Sequence, residues 1–195
     1  MLIMVFKHPH KYGLMAMISQ RDNDKFDLYR ESLNPFVKFF MEKDFFCDVA
    51  PQHISLCYFS YPDKYPKEYV KKLVPKIIDI IKDKMPLKIK VKGLSGWWEL
   101  NLGVPALVWN ITDLGEIPRI KDKIINELSK DIAHFNDIEF DFIPHIGVAW
   151  GNEENKEEIK KIIDQSKKNP EIELEIDRFF IFYPEGPEKI YPSKD

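Results

Sequence analysis

The chain has 195 residues, 44% of them hydrophobic and 31% charged, which is typical of a soluble globular protein with one substantial core or two closely packed lobes. The net charge of −3 excludes a globally basic nucleic-acid binder, so any affinity for phosphate must come from local groups. No apolar run approaches the roughly 20 residues that span a bilayer, and two cysteines are too few for a disulfide framework, so no membrane contact and a cytoplasmic location are expected.

The predicted elements of the first half are a strand, a helix, a second strand, a second helix and a third strand. They lie, in that order, near residues 13–18, from Lys25 onward, at 53–56, at 67–84 and at 87–93. Pro35 and Pro75 fall inside the two helical stretches, so these helices are expected to be kinked or to start late.

The second half repeats this order. Its elements lie near residues 105–111, from Ile117 onward, at 145–148, at 153–168 and at 172–183. A period this long exceeds that of a solenoid repeat, so it predicts one domain over residues 1–195, made of two pseudo-symmetric lobes. The segment 93–105 contains three glycines and a proline and is the expected hinge, and prolines and a glycine after Tyr183 predict a frayed end.

A short pattern occurs once in each half, as His53-Ile54-Ser55-Leu56 and His145-Ile146-Gly147-Val148. A proline lies just before each copy, and the two histidines are 92 positions apart. Alternate side chains of a strand share a face, so the first histidine and the serine point the same way. An imidazole beside a hydroxyl suits the handling of phosphate, because imidazole can serve as acid and as base near neutral pH. The alternative is that both histidines are hydrogen-bonded structural residues of a scaffold.

This duplicated pattern resembles the two-histidine (2H) phosphoesterases, which carry two His-x-Ser/Thr-x motifs. It is most similar to the branch that contains the 2′-5′ RNA ligase-like proteins and cyclic nucleotide phosphodiesterases. The element order agrees along nearly the whole chain, and two segments carry the resemblance, Pro51-Gln52-His53-Ile54-Ser55-Leu56 and Phe142-Ile143-Pro144-His145-Ile146. The resemblance implies an α+β, bilobal duplicated fold in which two antiparallel-rich sheets with outer helices flank a central cleft.

The resemblance also implies roles for the motif residues. His53 and His145 are expected to meet across the cleft as the catalytic acid–base pair, one activating water or a ribose hydroxyl and the other protonating the departing oxygen. Ser55 matches the hydroxyl that binds a phosphate oxygen. No cofactor and no metal are implied.

Gly147 departs from the family pattern because it has no hydroxyl, so half of the expected phosphate clamp is missing. The loss of that donor is expected to weaken catalysis without removing the acid–base pair. Glycine also lets the backbone approach a bulkier substrate closely. A third interpretation is that this copy has drifted and that the protein binds its ligand without cleaving it.

The expected function is that of a metal-independent phosphodiesterase acting on 2′,3′-cyclic or 2′-5′ phosphodiester bonds of RNA ends or small nucleotides. The alternative is a non-catalytic RNA- or nucleotide-binding protein that keeps the 2H cleft. In both cases the partner is an RNA terminus or a small nucleotide, and the sequence leaves the oligomeric state open.

Trp97 and Trp98 are candidates for contact with a nucleobase. Neighbours on a strand point to opposite faces, so one indole is expected to be exposed and the other buried. An exposed indole near the cleft would stack on a base with a gain of about 1–3 kcal/mol. Packing in the core or between the lobes is the alternative.

Two further features are candidates for a functional role: a strand with three lysines, and a cysteine close to the first motif. Lys88, Lys90 and Lys92 form one positive strand face, which suits either an RNA backbone or a solvated surface that deters edge-to-edge pairing. Cys57 shares the predicted face of His53 but lies roughly 13 Å from it along an ideal strand. A buried apolar thiol is therefore expected there rather than a nucleophile.

Overall fold

The structure is a computed structural model that describes residues 11–23, 25, 37–39, 52–60, 70–97, 106–130, 144–151, 153–183 and 186–191. The described residues form eight β-strands: β1 (Lys11–Ile18), β2 (Val37–Phe39), β3 (His53–Ser60), β4 (Leu87–Trp97), β5 (Ala106–Asp113), β6 (Gly147–Gly151), β7 (Ile172–Tyr183) and β8 (Gly186–Tyr191). The same residues form four α-helices: α1 (Gln20–Asn23), α2 (Val74–Ile81), α3 (Ile117–Leu128) and α4 (Lys156–Ser166).

The predicted α+β class is confirmed, and most elements lie where the sequence places them. Helix α2 begins at Val74 with Pro75 in its first turn, where the missing N–H of proline breaks no helical hydrogen bond, so the late start is confirmed. Strand β7 covers the predicted strand at 172–183. The short strand β2 pairs with β6, so the helical stretch predicted from Lys25 does not extend to Val37.

The strands form one curled antiparallel sheet rather than two separate sheets. Its order is β2-β6-β5-β4-β7-β1-β3, with β8 alongside β7. The sheet is continuous because β4 and β7, with 11 and 12 residues, are long enough to pair with different neighbours along their length. The start of β4 pairs with the start of β7, while the rest of β4 pairs with β5 and the rest of β7 pairs with β1 and β8.

The order of the sheet follows the repeat in the sequence. Reading from β6 through β5 to β4 gives the motif strand of the second half, the first strand of that half, and the last strand of the first half. Reading from β3 through β1 to β7 gives the same three roles with the halves exchanged. Each half therefore pairs its last strand with the first strand of the other half.

The helices cover one face of this sheet. Their buried side chains recur at intervals of three or four residues: Ile77, Ile81, Ile117, Ile120, Ile124, Leu128, Ile159 and Ile163. They pack with strand residues such as Leu14, Ile54 and Trp109 in one large cluster, the helix-covered core. Full burial of one such aliphatic side chain contributes about 1.5–3 kcal/mol, so this core is the main source of stability.

A smaller apolar cluster lies on the opposite face of the sheet, which we call the second face. It consists of Met15, Met17 and Phe180, with the partly buried Phe182 packed against it. These residues alternate along β1 and β7 with residues of the helix-covered core, as side chains on the two faces of a sheet do.

Two expectations about irregular segments are wrong where the structure describes those segments. Residues 93–97, within the predicted hinge, belong to β4 and pair with β5. The chain after Tyr183, expected to be frayed, forms β8 and pairs with β7. Glycine and proline do not end pairing here because Gly93 lies at a register shift of β4 and Pro187 lies in an edge strand. The rest of the predicted hinge, residues 98–105, lies outside the described residues.

Gly93 permits a close approach between β4 and the end of α4. Its φ is +64°, in the left-handed region, and a Cβ atom at this position would lie 2.7 Å from the backbone carbonyl carbon of Ser166. The left-handed backbone alone costs other residues about 1–2 kcal/mol. We expect Gly93→Ala to lower the free energy of unfolding by at least about 2 kcal/mol in urea denaturation, and exposed Lys92→Ala to change it by less than about 0.5 kcal/mol. Equal midpoints for Gly93→Ala and wild type would contradict this packing.

Asp22 is a buried carboxylate that anchors α1 to β7. Its side chain is 1% exposed, Oδ2 accepts a 2.6 Å hydrogen bond from the backbone N–H of Glu175, and Oδ1 lies 3.0 Å from Nζ of Lys25. Burial favours the neutral acid, but the hydrogen bonds from Lys25, from the Glu175 backbone and from Arg21 outweigh burial. The pKa of Asp22 therefore lies below its ordinary value of 3.8.

This lowered pKa predicts how acid destabilises the protein. A carboxylate with a lower pKa in the folded state stabilises the fold fully above its unfolded-state pKa and loses that contribution as the pH falls through the folded-state pKa. The free energy of unfolding should therefore fall below pH 3.8, and Asp22→Asn should flatten that decline. At pH 7 the same substitution should cost about 1.5–3 kcal/mol. Urea unfolding over a pH series checks this, with exposed Asp164→Asn as control, and an unchanged decline in Asp22→Asn would refute it.

Candidate active site

One antiparallel bridge brings the two histidine motifs together. Ile54, in β3, pairs with Ile146, the residue just before β6. Both isoleucine side chains are fully buried in the helix-covered core. Strand β3 ends the sheet order and β6 lies near its other end, so the bridge marks the place where the curled sheet meets itself.

The bridge determines which motif residues face one another. When the antiparallel register is continued by one residue in each direction, His53 lies opposite Gly147 and Ser55 lies opposite His145. Alternation places these four residues on the side away from the two buried isoleucines. The two histidines are then diagonal neighbours, with Cα atoms roughly 7–8 Å apart. Imidazoles on such positions can both reach one phosphate group.

The contacts of His53 and Ser55 place both side chains on the second face. The His53 ring packs against Phe182, with ring centroids 6.2 Å apart and an interplanar angle of 32°. The Ser55 hydroxyl donates to Sδ of Met15 at 3.1 Å. A thioether sulfur is a weak acceptor, so a phosphate oxygen would be a better partner for this hydroxyl. Both residues are partly exposed, as a ligand site requires.

A cavity of about 270 Å³ lies beside His145. Its lining includes Pro144 on the motif side, and Ser95, Asn110 and Thr112 from β4 and β5. The surroundings of the two histidines therefore differ. His53 borders an apolar cluster, whereas His145 borders a cavity that is lined by hydroxyl, amide and carboxylate groups as well as by apolar side chains.

A buried tryptophan connects the two motifs from the core side. The backbone N–H of Trp109 donates to the carbonyl of Ile146 at 3.0 Å, and the indole Nε1–H donates to Oε1 of Gln52 at 3.0 Å. The two side chains are almost fully buried. Gln52 precedes the first motif histidine and Ile146 follows the second, so Trp109 contacts the chain next to each of them. Neither Gln52 nor Trp109 stands out in the sequence, because an amide and an indole carry no acid–base chemistry.

Arg178 places a positive charge in the same row of the sheet as His53. It pairs in register with Met17, which in turn pairs with His53. Its Nη2 donates to the carbonyl of Ile18 and its Nε to the carboxylate of Asp177, both at 2.8 Å. A guanidinium has five N–H donors, so these two bonds leave capacity for a phosphate oxygen. No local pattern reveals this residue, because the exchange of β7 between the halves brings it near.

Several solved structures match nearly the whole chain. TT0787 of Thermus thermophilus matches with a TM-score of 0.52 and 13% identity, over 92% of this chain and 93% of that one. A structure described as a phosphoesterase matches with a TM-score of 0.51 and 7% identity, over 93% and 94%. Usb1 of Kluyveromyces marxianus matches with a TM-score of 0.52 and 8% identity, over 93% and 98%. No family model matches the chain, and no curated protein matches it at a significant level.

The chain has the two-histidine phosphoesterase fold. With identities of 13% or less, the shared property is the path of the chain, and the roles of individual residues depend on the geometry described above. This fold explains both the repeated order of the elements and the bridge between the two motif strands.

The two tryptophans suggested for base stacking are not placed by the structure. Trp98 lies outside the described residues, and for Trp97 only the backbone is described, where it pairs with Ala106 at the end of β4. Their stacking role in the two-histidine phosphoesterase fold stays a prediction.

Two of the three lysines in the lysine strand form ion pairs. Nζ of Lys88 lies 2.7 Å from the Glu173 carboxylate, and Nζ of Lys90 lies 3.7 Å from that of Glu171. The hydrogen bond and charge of Glu173 raise the pKa of Lys88. These ion pairs, with Glu173 in β7 and with Glu171 just before it, favour a solvated strand face over a contact surface for RNA.

The prediction that Cys57 shares a face with His53 is wrong. The register between β1 and β3 shifts at this point, so Leu14 pairs with Cys57 while Met15 pairs with Ser55. This bulge turns Cys57 into the helix-covered core, where it is 1% exposed. The expectation of a buried thiol is confirmed.

Neither a metal cluster nor a membrane helix is found in the part of the chain that the structure describes. No three His, Cys, Asp or Glu side chains lie together there in a way that could hold a metal ion. None of the helices formed by those residues has the length and apolarity to cross a bilayer. Independence from metal is a property of the reaction and has to be tested on the reaction.

Proposed function

We propose that this chain is a metal-independent phosphodiesterase of the two-histidine type. It acts on 2′,3′-cyclic or 2′-5′ phosphodiester bonds of RNA ends or small nucleotides, with His53 and His145 as the acid–base pair. The observation that carries the proposal is the bridge between Ile54 and Ile146, because it sets histidines from distant parts of the chain on diagonal positions of one surface. Two purely structural histidines have no reason to meet in this way.

The mechanism follows from the path of the protons. For a 2′,3′-cyclic phosphate, a neutral imidazole takes a proton from water as the water oxygen forms a bond to phosphorus. On the opposite side of phosphorus the bond to one ribose oxygen breaks, and the other, protonated imidazole gives its proton to that oxygen. The products are a phosphate monoester and a free ribose hydroxyl, and solvent returns the imidazoles to their starting states. The active form needs one neutral and one protonated histidine, so the rate should have a bell-shaped pH dependence.

Three groups near the histidines can stabilise the charge that develops on the phosphate oxygens. The Ser55 hydroxyl exchanges its weak thioether partner for a phosphate oxygen. The backbone at Gly147 partly replaces the missing second hydroxyl, because glycine allows a close approach. Arg178, one strand beyond Met17 and ion-paired with Asp177, supplies guanidinium N–H donors for a phosphate oxygen. Donors fixed in advance around a transition state are a large source of catalysis.

The second face provides a place for the nucleobase. Phe182 is partly buried, packs on Met15, Met17 and Phe180, and lies against the His53 ring. An aromatic platform beside the reacting phosphate can hold a base at about 1–3 kcal/mol of stacking energy. This supports nucleotides, rather than simple phosphate esters, as substrates.

The test is a substrate panel assayed with EDTA present. The panel contains 2′,3′-cyclic nucleoside monophosphates, 2′-5′-linked dinucleotides, and 3′-5′-linked dinucleotides as the matched control. We expect turnover of the first or second class, the same rate with and without EDTA, and no turnover of the control. Absence of turnover on all three, or loss of turnover on chelation, would refute the proposal.

Gly147 favours one alternative, a non-catalytic RNA- or nucleotide-binding protein that keeps the two-histidine cleft. A missing phosphate donor affects turnover more than binding when the remaining contacts hold the ligand. In that case the panel shows nucleotide binding without turnover. Replacing either histidine would then leave much of the affinity in place.

A further inference from the structure

We infer that Gln52 and Trp109 are positioning residues that hold the two histidine strands in the register that the shared site requires. The inference rests on the proposed function for its effect on turnover. The contacts behind it lie on the core side of the strands, away from the reacting groups. We call this pair of residues the clasp.

The clasp acts where the sheet is most weakly joined. On one side, β3 is held to β1 by seven register pairs from Met17 to Lys11. On its other side, within the described residues, β3 meets the second motif through the single Ile54–Ile146 bridge. A single bridge specifies register poorly, and in an antiparallel pair any slip carries the opposing side chains apart. A slip here would separate His145 from Ser55.

Trp109 supplies the missing constraint at two points. Its backbone N–H fixes the carbonyl of Ile146, and its indole N–H fixes the side chain of Gln52, both at 3.0 Å. Gln52 is itself held to β1, because its carbonyl accepts a 3.1 Å hydrogen bond from the N–H of Ile18. The second motif and the start of the first are therefore fixed to the two ends of one rigid residue.

Burial makes this constraint strict. Trp109 is 2% exposed and Gln52 is 5% exposed, so neither partner can turn to water if the strands slip. A buried N–H or amide oxygen left without a partner loses the full hydration of that group. A displaced register of β3 would break the bond between the indole and Gln52, because the backbone of Trp109 stays bound to Ile146. The register that aligns the motif residues is thus the one in which both bonds of Trp109 are made.

The test separates positioning from stability with four variants. Trp109→Phe and Gln52→Met each remove one partner of the indole–amide hydrogen bond, and the double variant removes both, so neither partner of that bond is left buried without the other. Ile163→Val, in α4, is the control for a modest loss of packing far from the motifs. Inorganic phosphate is the probe. Histidine NMR reports its affinity and whether both imidazoles respond to it, and urea unfolding reports stability.

In wild type we expect phosphate to shift the resonances of His53 and His145 with one common dissociation constant. Each single variant should bind phosphate about three- to tenfold more weakly, the range expected from the loss of one buried hydrogen bond. The double variant should regain stability but not phosphate affinity. The control should lose stability alone.

Three results would overturn the inference. They are a double variant that recovers phosphate affinity together with stability, single variants that bind phosphate as tightly as Ile163→Val, and a wild-type protein in which phosphate shifts only one histidine or neither. Turnover of a 2′,3′-cyclic substrate, measured in parallel, keeps the two proposals apart. Common phosphate binding without turnover contradicts the proposed function alone, and turnover with unchanged phosphate binding in the single variants contradicts the clasp alone.

Discussion

His53→Ala and His145→Ala are each expected to lower kcat for a 2′,3′-cyclic phosphate by about 10²–10⁴-fold, the usual range for loss of a general acid or base. Each imidazole performs one of two proton transfers in the same step, so both losses should be large. The double variant should be little worse than either single variant, because residues that act as a unit are not additive. Steady-state kinetics on purified, folded variants measures the effect.

The dependence of the rate on pH tests the same acid–base pair in a second way. Wild type should show a bell-shaped dependence of kcat/KM on pH, and each single variant should lose one limb of the bell. Asn126→Ala, an exposed residue of α3, is the control and should match wild type. If one histidine variant keeps more than about a tenth of the wild-type rate, the acid–base pair is rejected.

Ser55→Ala is expected to lower kcat/KM by roughly ten- to a hundredfold. A hydrogen bond to a charged oxygen is worth about 1.5–3 kcal/mol. The reciprocal change, Gly147→Ser, adds a hydroxyl opposite His53 in the register set by the bridge. It should raise kcat/KM by a factor of the same order if the second half of the phosphate clamp has been lost. Both values come from kinetics on one cyclic substrate.

The pair of substitutions also separates the interpretations of Gly147. Loss of activity in Gly147→Ser, together with a large effect of Ser55→Ala, would mean that the glycine admits a substrate that a side chain excludes. No effect of Ser55→Ala would show that its hydroxyl does not contact phosphate. Ser129 is exposed, and its hydroxyl donates to the backbone carbonyl of Asn126 at the end of its own helix. Ser129→Ala is therefore the matched control and should keep the wild-type kcat/KM.

Local pattern was enough to predict most of the elements, but not β2 or β8. The isoleucines of α3 recur on one helical face, and the alternation in β7 and the motif of β3 are visible without any partner strand. These features depend on neighbours within a few positions, so the sequence displays them directly.

The parts that sequence could not predict depend on distant partners. The exchange of β4 and β7 between the halves brings Arg178 into the row of His53, although they lie far apart along the chain. The bulge that turns Cys57 into the core arises from the fit between β1 and β3. The clasp of Gln52 and Trp109 consists of ordinary core residues whose importance appears only when both motifs are seen beside them.

A crystal structure with orthovanadate and a nucleoside tests most directly whether two histidines act on one phosphorus. Vanadate takes the five-coordinate geometry of the in-line displacement. We predict a vanadium atom between the two imidazoles, with a ring nitrogen of His53 and one of His145 each about 2.6–3.2 Å from opposite apical oxygens. The Ser55 hydroxyl should donate to an equatorial oxygen. Vanadate bound to one imidazole only, or imidazoles that open onto separate surfaces, would contradict the account.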